Sequence, residues 1–383
     1  MDKPTVQDIF HRFYPAYLDQ YSPSPVQAKV AHNIMNCKTG AYGANVCVCE
    51  DCGFVQIHYN SCRNCCCPMC QAVPKEMWMD ARREDVLDAP YFHLVFTVPD
   101  ILNPVIYSNQ RLLYDALYHA ASSTISELTA DPKHLGAKVG YICILHTWGS
   151  EMNFHPHIHT ILLGGGLASN NQWKDNGENF FLPIRVISKM FRGKYLEELK
   201  RLWEEDKLVF HGTAEKFRNH YTFKELLDSC YGMDWIPHCK KTFNGAQTVI
   251  KYLGKYTHRI AVSNHRIVRM DDDTVTFLVK DYRNEGQWKE LTISGVEFVR
   301  RFLMHVPPRR FVRIRHYGLL CSRTKSQKLT LCRNLLGCKK YLSKLRDMEM
   351  PEILEHLYGI KVCVCKACGG HLGKPQMRMP LRC

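Results

Sequence analysis

Asn153-Phe154-His155-Pro156-His157-Ile158-His159, running into Thr160-Ile161-Leu162-Leu163 and the triplet Gly164-Gly165-Gly166, decides how this chain is read. Taken as a strand, its period of two sets His155, His157 and His159 on one face and turns Ile158 toward a core. Imidazoles at i and i+2 on a rigid strand can share one metal ion. Three alternating histidines beside a proline and a glycine run point to a metal site, not to a strand that merely happens to be histidine-rich.

The flanking segments supply neighbours for that strand. Val139 to Trp148 reads as a second strand, and Gly149 to Asn153 is short enough for a hairpin loop between the two. Two histidines do not fill a coordination sphere. His146, across the hairpin, can come level with His157. His155 competes for the third place, but a ligand from a neighbouring strand spreads better around an ion than three in one row. Upstream, Tyr91 to Val98 reads as a strand that Pro99 ends, and Ser108 to Leu128 as a helix with Leu112, Leu113, Ala116 and Leu117 inward. The order is strand, helix, strand, strand. Residues 168–240 are more polar, with helical stretches such as Ile187 to Leu202, and read as a helical insertion. Strands are expected at Arg266–Met270 and Thr274–Lys280, and a helix at Gly295–Met304 with Ser294 as its N-cap. Near the N-terminus, Val6 to Tyr21 places Ile9, Phe10, Phe13 and Tyr17 on one helical face, with Pro15 as a kink or break.

A helix from Gly245 to about Arg259 holds Tyr252 and Tyr256 at i and i+4, one turn apart on one face, with Arg259 on the same side. Such pairs are usually packing. Beside a histidine metal strand they acquire a chemical reading. A phenol with a pKa of about 10 is a poor nucleophile at neutral pH. A divalent ion that polarises a phosphate, helped by Lys or Arg, makes its attack on a phosphodiester feasible. The product, a phosphotyrosine, keeps the bond energy for rejoining strands.

At 383 residues, with 45% hydrophobic and 23% charged side chains, the chain can bury a core in two or three domains. No apolar run reaches the ~18 residues of a membrane span, and Met1-Asp2-Lys3-Pro4 lacks the features of a signal peptide, so a cytoplasmic protein is expected. Arg300 to Arg346 holds 14 Lys and Arg and no acidic residue, which equals the whole chain's net excess of +14. With Phe302, Phe311 and Tyr317 among them, these cations suit a polyanion such as nucleic acid.

Of 19 cysteines, eight fall between Cys47 and Cys70. In a cytoplasmic chain that density favours metal thiolates over disulfides. Cys49-x-x-Cys52 and Cys67-x-x-Cys70 have the spacing of one tetrahedral four-cysteine zinc site. Cys62, Cys65 and Cys66 lie between them, so Cys62 and Cys66 could substitute or a second ion could bind. Arg63 sits on this knuckle, where it can touch phosphate. Cys365-x-x-Cys368, with Cys363 and Cys383, is either a second zinc ribbon or a set of ordinary thiols.

Taken together, several stretches resemble the two-tyrosine HUH transposases of bacterial insertion sequences that move by a rolling circle, relatives of the ISCR-type elements. In order they are Cys49-x-x-Cys52, Asn60-Ser61-Cys62-Arg63-Asn64, Cys67-Pro68-x-Cys70-Gln71, Leu145-His146-Thr147-Trp148-Gly149, His155-Pro156-His157-Ile158-His159, Tyr252-Leu253-Gly254-Lys255-Tyr256-Thr257-x-Arg259 and Phe311-Val312-Arg313-Ile314-Arg315-His316-Tyr317-Gly318. The family commonly has His where Cys66 stands, so the zinc ligand set departs from its pattern there.

The resemblance implies an α+β fold: an HUH nuclease core with a central antiparallel, RRM-like sheet flanked by helices, plus a small N-terminal zinc-binding domain. Expected boundaries are 1–85 for the zinc domain, 86–320 for the nuclease with its insertion at about 168–240, and 321–383 for a basic C-terminal region. It implies a metal-dependent transposase that cleaves and rejoins single-stranded DNA at element ends and target through 5′-phosphotyrosine links. Tyr252 and Tyr256 would be the nucleophiles. His157 and His159 would bind Mg2+ or Mn2+, with His146 as the third ligand, as in the related relaxases. Cys49, Cys52, Cys67 and Cys70 would bind Zn2+, and Arg259, Lys255 and Arg63 would contact DNA. A rolling-circle replication initiator or relaxase shares this chemistry, and a zinc-dependent DNA-binding protein with an inactive nuclease core is the non-enzymatic alternative. A metallohydrolase using the His-x-His pair is disfavoured, because Thr160 stands where many such sites carry Asp.

Overall fold

The computed structural model describes residues 3–378 apart from 176–181, 236, 244–248, 250–253, 255–260, 282–283 and 375. It is an α+β protein, as expected from the sequence, built on a central antiparallel sheet. In chain order the helices are α1 (Val6–Leu18), α2 (Pro25–Met35), α3 (Ala72–Arg83), α4 (Asn103–Ser108), α5 (Gln110–Ala130), α6 (Ile184–Glu204), α7 (His220–Gly232), α8 (Gly295–Met304), α9 (Lys325–Leu336) and α10 (Met350–Tyr358). The strands are β1 (Ala44–Val48), β2 (Val55–Tyr59), β3 (Tyr91–Thr97), β4 (Lys138–Trp148), β5 (Phe154–Leu167), β6 (Trp173–Asp175), β7 (His238–Phe243), β8 (Ile267–Met270), β9 (Thr274–Asp281), β10 (Gln287–Ser294), β11 (Ile314–Gly318) and β12 (Gln376–Arg378).

The central sheet runs β11-β4-β5-β3-β7, with β6 added to the far end of β5. Alternation along its strands makes two different faces. Phe92, Leu94 and Phe96 of β3, Tyr141, Cys143 and Leu145 of β4, and Ile158 and Leu162 of β5 face one way, into a core closed by α5, α6 and α7. The segment expected to be a helical insertion is thus a layer of the main core. On the other face Ile142, Ile144, Ile161 and Leu163 pack with Met79 of α3, Val249, and Leu329 and Cys332 of α9. The histidines project from this second face, beyond the end of its apolar patch.

Glycines let β5 and its partners approach closely. A side chain on Gly166 would run into the Lys138 backbone, and one on Gly318, which has φ +61°, into the Val139 carbonyl.

A second core joins segments far apart in sequence. The apolar face of α1 (Val6, Ile9, Phe10, Phe13) packs with Ile34 of α2 and with Phe298 and Phe302 of α8, over the three-stranded sheet β10-β9-β8. Phe10 meets Phe302 edge-on at 5.2 Å. This core also contains Cys66, Cys67 and Met152, so it crosses the boundary expected near residue 85. Thr5 and Asp8 form a capping box that starts α1, and Ser24 and Gln27 another that starts α2. α1 runs through Pro15 to Leu18 instead of breaking there, held on both sides of the proline by buried Tyr14 and Tyr17. Ser294 caps α8 as expected, accepting from the Glu297 N–H. The third sheet, β12-β1-β2, pairs the C-terminal strand with the N-terminal hairpin. No helix among the described residues is long and apolar enough to cross a membrane.

Candidate metal centre and cysteine clusters

The histidine site is set by the register of β4 on β5. His146 stands opposite His157 and Ile144 opposite His159, while β3 lies on the other side with Val95 opposite His159. The ligand atoms of His146, His157 and His159 lie within 4.8 Å of one another, and the three residues are 4%, 8% and 8% exposed. His157 Nε2 and His159 Nε2 are 3.0 Å apart. Burial holds the His157 pKa down to about 3 and that of His159 well below the ordinary value. Both rings are therefore neutral at pH 7, the form that binds metal ions.

Neighbouring groups fix the tautomers. His157 Nδ1–H donates to the His155 carbonyl at 2.7 Å, which leaves Nε2 with its lone pair in the cluster. His159 Nδ1 is 2.9 Å from Nε2 of His93, a buried residue of β3. An ion-binding His159 uses Nε2, carries its proton on Nδ1, and donates it to His93. Metal-ligating histidines are usually oriented by such an outer partner. His93 was not singled out from sequence; its alternation with Val95 and Thr97 on an expected strand was the available signal. The His146 ring stacks on Trp148 at 4.4 Å, which sets its plane.

His155 lies beside His157, with ring centroids 5.1 Å apart, but it is not one of the three converging ligands. Between the pairs His146–His157 and Trp148–Phe154, β5 carries one residue more than β4. This bulge contains Pro156, which has no N–H to give to the ladder. The His155 ring, 37% exposed, turns its Nδ1 to Asp100 Oδ1 at 3.3 Å. The hairpin loop itself is tied down by His305, which joins Thr147 Oγ1 at 3.1 Å and the Met152 carbonyl at 3.0 Å.

Tyr252, Lys255, Tyr256 and Arg259 lie outside the described residues. Within the same motif Gly254 is helical and abuts α3, where an added Cβ would overlap the Met79 sulfur. Val249 and Met79 belong to the cluster on the histidine face of the sheet. Arg63 is exposed, with φ +52°.

The basic block is less open than its sequence suggests. Arg300 and Arg301 pair with Glu297, Arg315 with Asp115, Lys325 with Asp85, and Arg346 with Glu84. Arg309, Arg310, Arg323, Lys339, Lys340 and Lys344 are exposed.

The cysteines group differently from the expected set of Cys49, Cys52, Cys67 and Cys70. Cys67 and Cys70 gather with Cys62 and with Cys37, from the turn after α2. Cys70 Sγ is 3.4 Å from that of Cys37 and 3.6 Å from that of Cys62. Thiolates at ~2.3 Å from a tetrahedral zinc sit about 3.8 Å apart, so the set fits a structural zinc ion. Cys49 and Cys52 instead gather with Cys365 and Cys368. The fold separates the two pairs because β1 and β2 carry Cys49 and Cys52 away on a hairpin, while Cys67 and Cys70 lead into α3 beside α2. Cys65 and Cys66 belong to neither set.

Two family descriptions match this chain: "Transposase zinc-binding domain", of the IS91 type, over residues 9–98, and "Putative transposase" over residues 140–328. "Putative transposase y4qJ" of Sinorhizobium fredii is 40% identical over 369 residues, spanning 95% of this chain and 93% of that protein. The transposase for insertion sequence element IS801 of Pseudomonas savastanoi is 30% identical over 309 residues, spanning 79% and 72%. Among solved structures, the conjugative relaxase TrwC in complex with oriT DNA aligns in its metal-free form at 15% identity over 45% of this chain and 68% of that one, with a TM-score of 0.23. Its copper-bound form aligns at 13% identity over 67% and 99%, with a TM-score of 0.26.

Proposed function

This chain belongs to the insertion-sequence transposases that carry an IS91-type zinc-binding domain, and from that premise we propose that it cuts and rejoins single-stranded DNA at the ends of a mobile element through Tyr252 and Tyr256. The observation that carries the reading is the buried set of His146, His157 and His159, three imidazoles converging from adjacent strands. Mg2+ or Mn2+ bound there would polarise a scissile phosphate and stabilise the charge that builds on it. His157 and His159 would hold such an ion through Nε2, with their Nδ1–H groups donating to the His155 carbonyl and to His93 Nε2.

In the cutting step a tyrosine hydroxyl attacks phosphorus. The tyrosine Oη–P bond forms as the P–O3′ bond breaks, the phenolic proton passes to solvent, and the departing 3′ oxygen takes up a proton. The 5′ phosphate stays on the protein. In the joining step a free 3′ hydroxyl attacks that phosphotyrosine and the phenol leaves. Two tyrosines let one adduct persist while a second strand is cut. Lys255, Arg259, Arg63 and the exposed cations from Arg309 to Lys344 bind phosphates, which makes affinity fall with salt. The setting is the bacterial cytoplasm, on the nucleoid.

The test is cleavage of labelled single-stranded DNA from the element's ends in Mg2+ or Mn2+. Cleavage that stops with EDTA and in His157→Ala/His159→Ala supports the reading. Cleavage that survives both contradicts it.

A further inference from the structure

Cys365 and Cys368 lie more than three hundred residues from Cys49 and Cys52, yet Cys49 Sγ is 3.5 Å from Cys368 Sγ and Cys52 Sγ is 3.7 Å from Cys365 Sγ. These are the separations of thiolates around one tetrahedral zinc ion and are too long for disulfides. Each pair sits on its own tight knuckle. Gly53 N–H donates to the Cys49 carbonyl at 3.0 Å, and Gly369 N–H to the Cys365 carbonyl at 2.9 Å. Gly53 and Gly369 have φ of +70° and +76°, the conformation these turns need. Ala367 N–H and Gly370 N–H point at the Cys365 and Cys368 sulfurs at 3.4 Å each. The knuckles are joined by Glu50 N–H to the His371 carbonyl at 3.1 Å, and β12 lies along β1. The apolar support is slight: Cys47, Cys49, Cys365 and Leu372. So small a core needs a metal to hold it.

We propose that Cys49, Cys52, Cys365 and Cys368 form a second zinc site, distinct from that of Cys37, Cys62, Cys67 and Cys70, which clasps the C-terminal segment onto the N-terminal hairpin. Between α9 and this clasp the chain crosses α3. There Asp80 accepts from Tyr341 Oη at 2.7 Å, Ser343 Oγ at 2.6 Å and Leu345 N–H at 2.9 Å, while Glu84 accepts from Ser343 N–H at 3.1 Å. The clasp thus closes a strap over the helix whose Met79 abuts Gly254 of the tyrosine motif.

The test uses the full chain, loaded with zinc and freed of excess. Two zinc ions per chain are expected in the unaltered protein and one in Cys365→Ser/Cys368→Ser. Cys368→His, which keeps a ligand atom, should hold two. Trypsin should cut at Lys361 and Lys366 roughly tenfold faster in the double serine variant than in Cys368→His. As a check that needs no variant, Cys52 and Cys368, both exposed, should resist iodoacetamide until a chelator is added. One zinc per chain in the unaltered protein, two in the double serine variant, or immediate alkylation of Cys52 and Cys368 would overturn the proposal.

Discussion

His146 of β4 stands directly across the sheet from His157 of β5, and their rings meet edge to face at 5.6 Å. His155, two residues from His157 on its own strand, is turned to Asp100 instead. The third member of the candidate metal centre comes from across the strand pair, not from further along β5.

The first prediction follows from that contrast. His146→Ala should weaken Mn2+ binding by at least roughly 10–100-fold, the scale of losses around protein metal sites. His155→Ala should leave it little changed. Calorimetric titration of both variants reads the difference, and equal losses would put His155 among the ligands.

His93 acts through His159. His93→Phe fills the same space but cannot accept the Nδ1 proton of His159, so Mn2+ affinity should drop about 10–100-fold with the fold retained. Restoring an acceptor with His93→Gln should recover part of that loss, an outcome that mere repacking does not predict.

Acid should destabilise the protein before its carboxylates titrate. Burial holds the His305 pKa down to about 4, against an unfolded value of ~6.5. The unfolded chain takes up this proton near pH 6.5 and the folded chain only near pH 4, so stability falls as pH drops through that window. The cost is on the order of 3 kcal/mol for His305 alone, and His157, held to about 3, adds in the same direction. Denaturation with urea at pH 7 and pH 4.5 should show the fall, and His305→Gln should make it shallower.

The histidine strand, its hairpin partner β4, strand β3 and the capped helix α8 were all legible because each combines a clear apolar period with a terminating Pro, Gly or Ser. The turn of His155 toward Asp100 is not legible, because the bulge at Pro156 appears only when β4 is laid beside β5. The cysteine grouping was hidden for a related reason. Cys49-x-x-Cys52 and Cys67-x-x-Cys70 are neighbours in sequence, yet their partners come from the turn after α2 and from the Cys365–Cys368 turn ahead of β12. Spacing identifies a knuckle but not which knuckle completes it. The strap over Asp80 leaves no local pattern, since it depends on tertiary contacts, and alternation along β3 gives the face of His93 but not its partner His159.

Gly318 should not tolerate a side chain. With φ +61° and the Val139 carbonyl where a Cβ would stand, Gly318→Ala should cost about 2 kcal/mol or more by strain and displacement of β11 from β4. A urea midpoint unchanged from the unaltered protein would refute this.

The most direct measurement is the mapping of a covalent DNA adduct. After incubation with single-stranded element-end DNA and Mn2+, the protein is digested and its nucleotide-linked peptide sequenced by mass spectrometry. The account predicts a 5′-phosphate linked to Tyr252 or Tyr256, absent with EDTA and in Tyr252→Phe/Tyr256→Phe while DNA binding persists. An adduct on any other residue, or one that survives in the double variant, would contradict it.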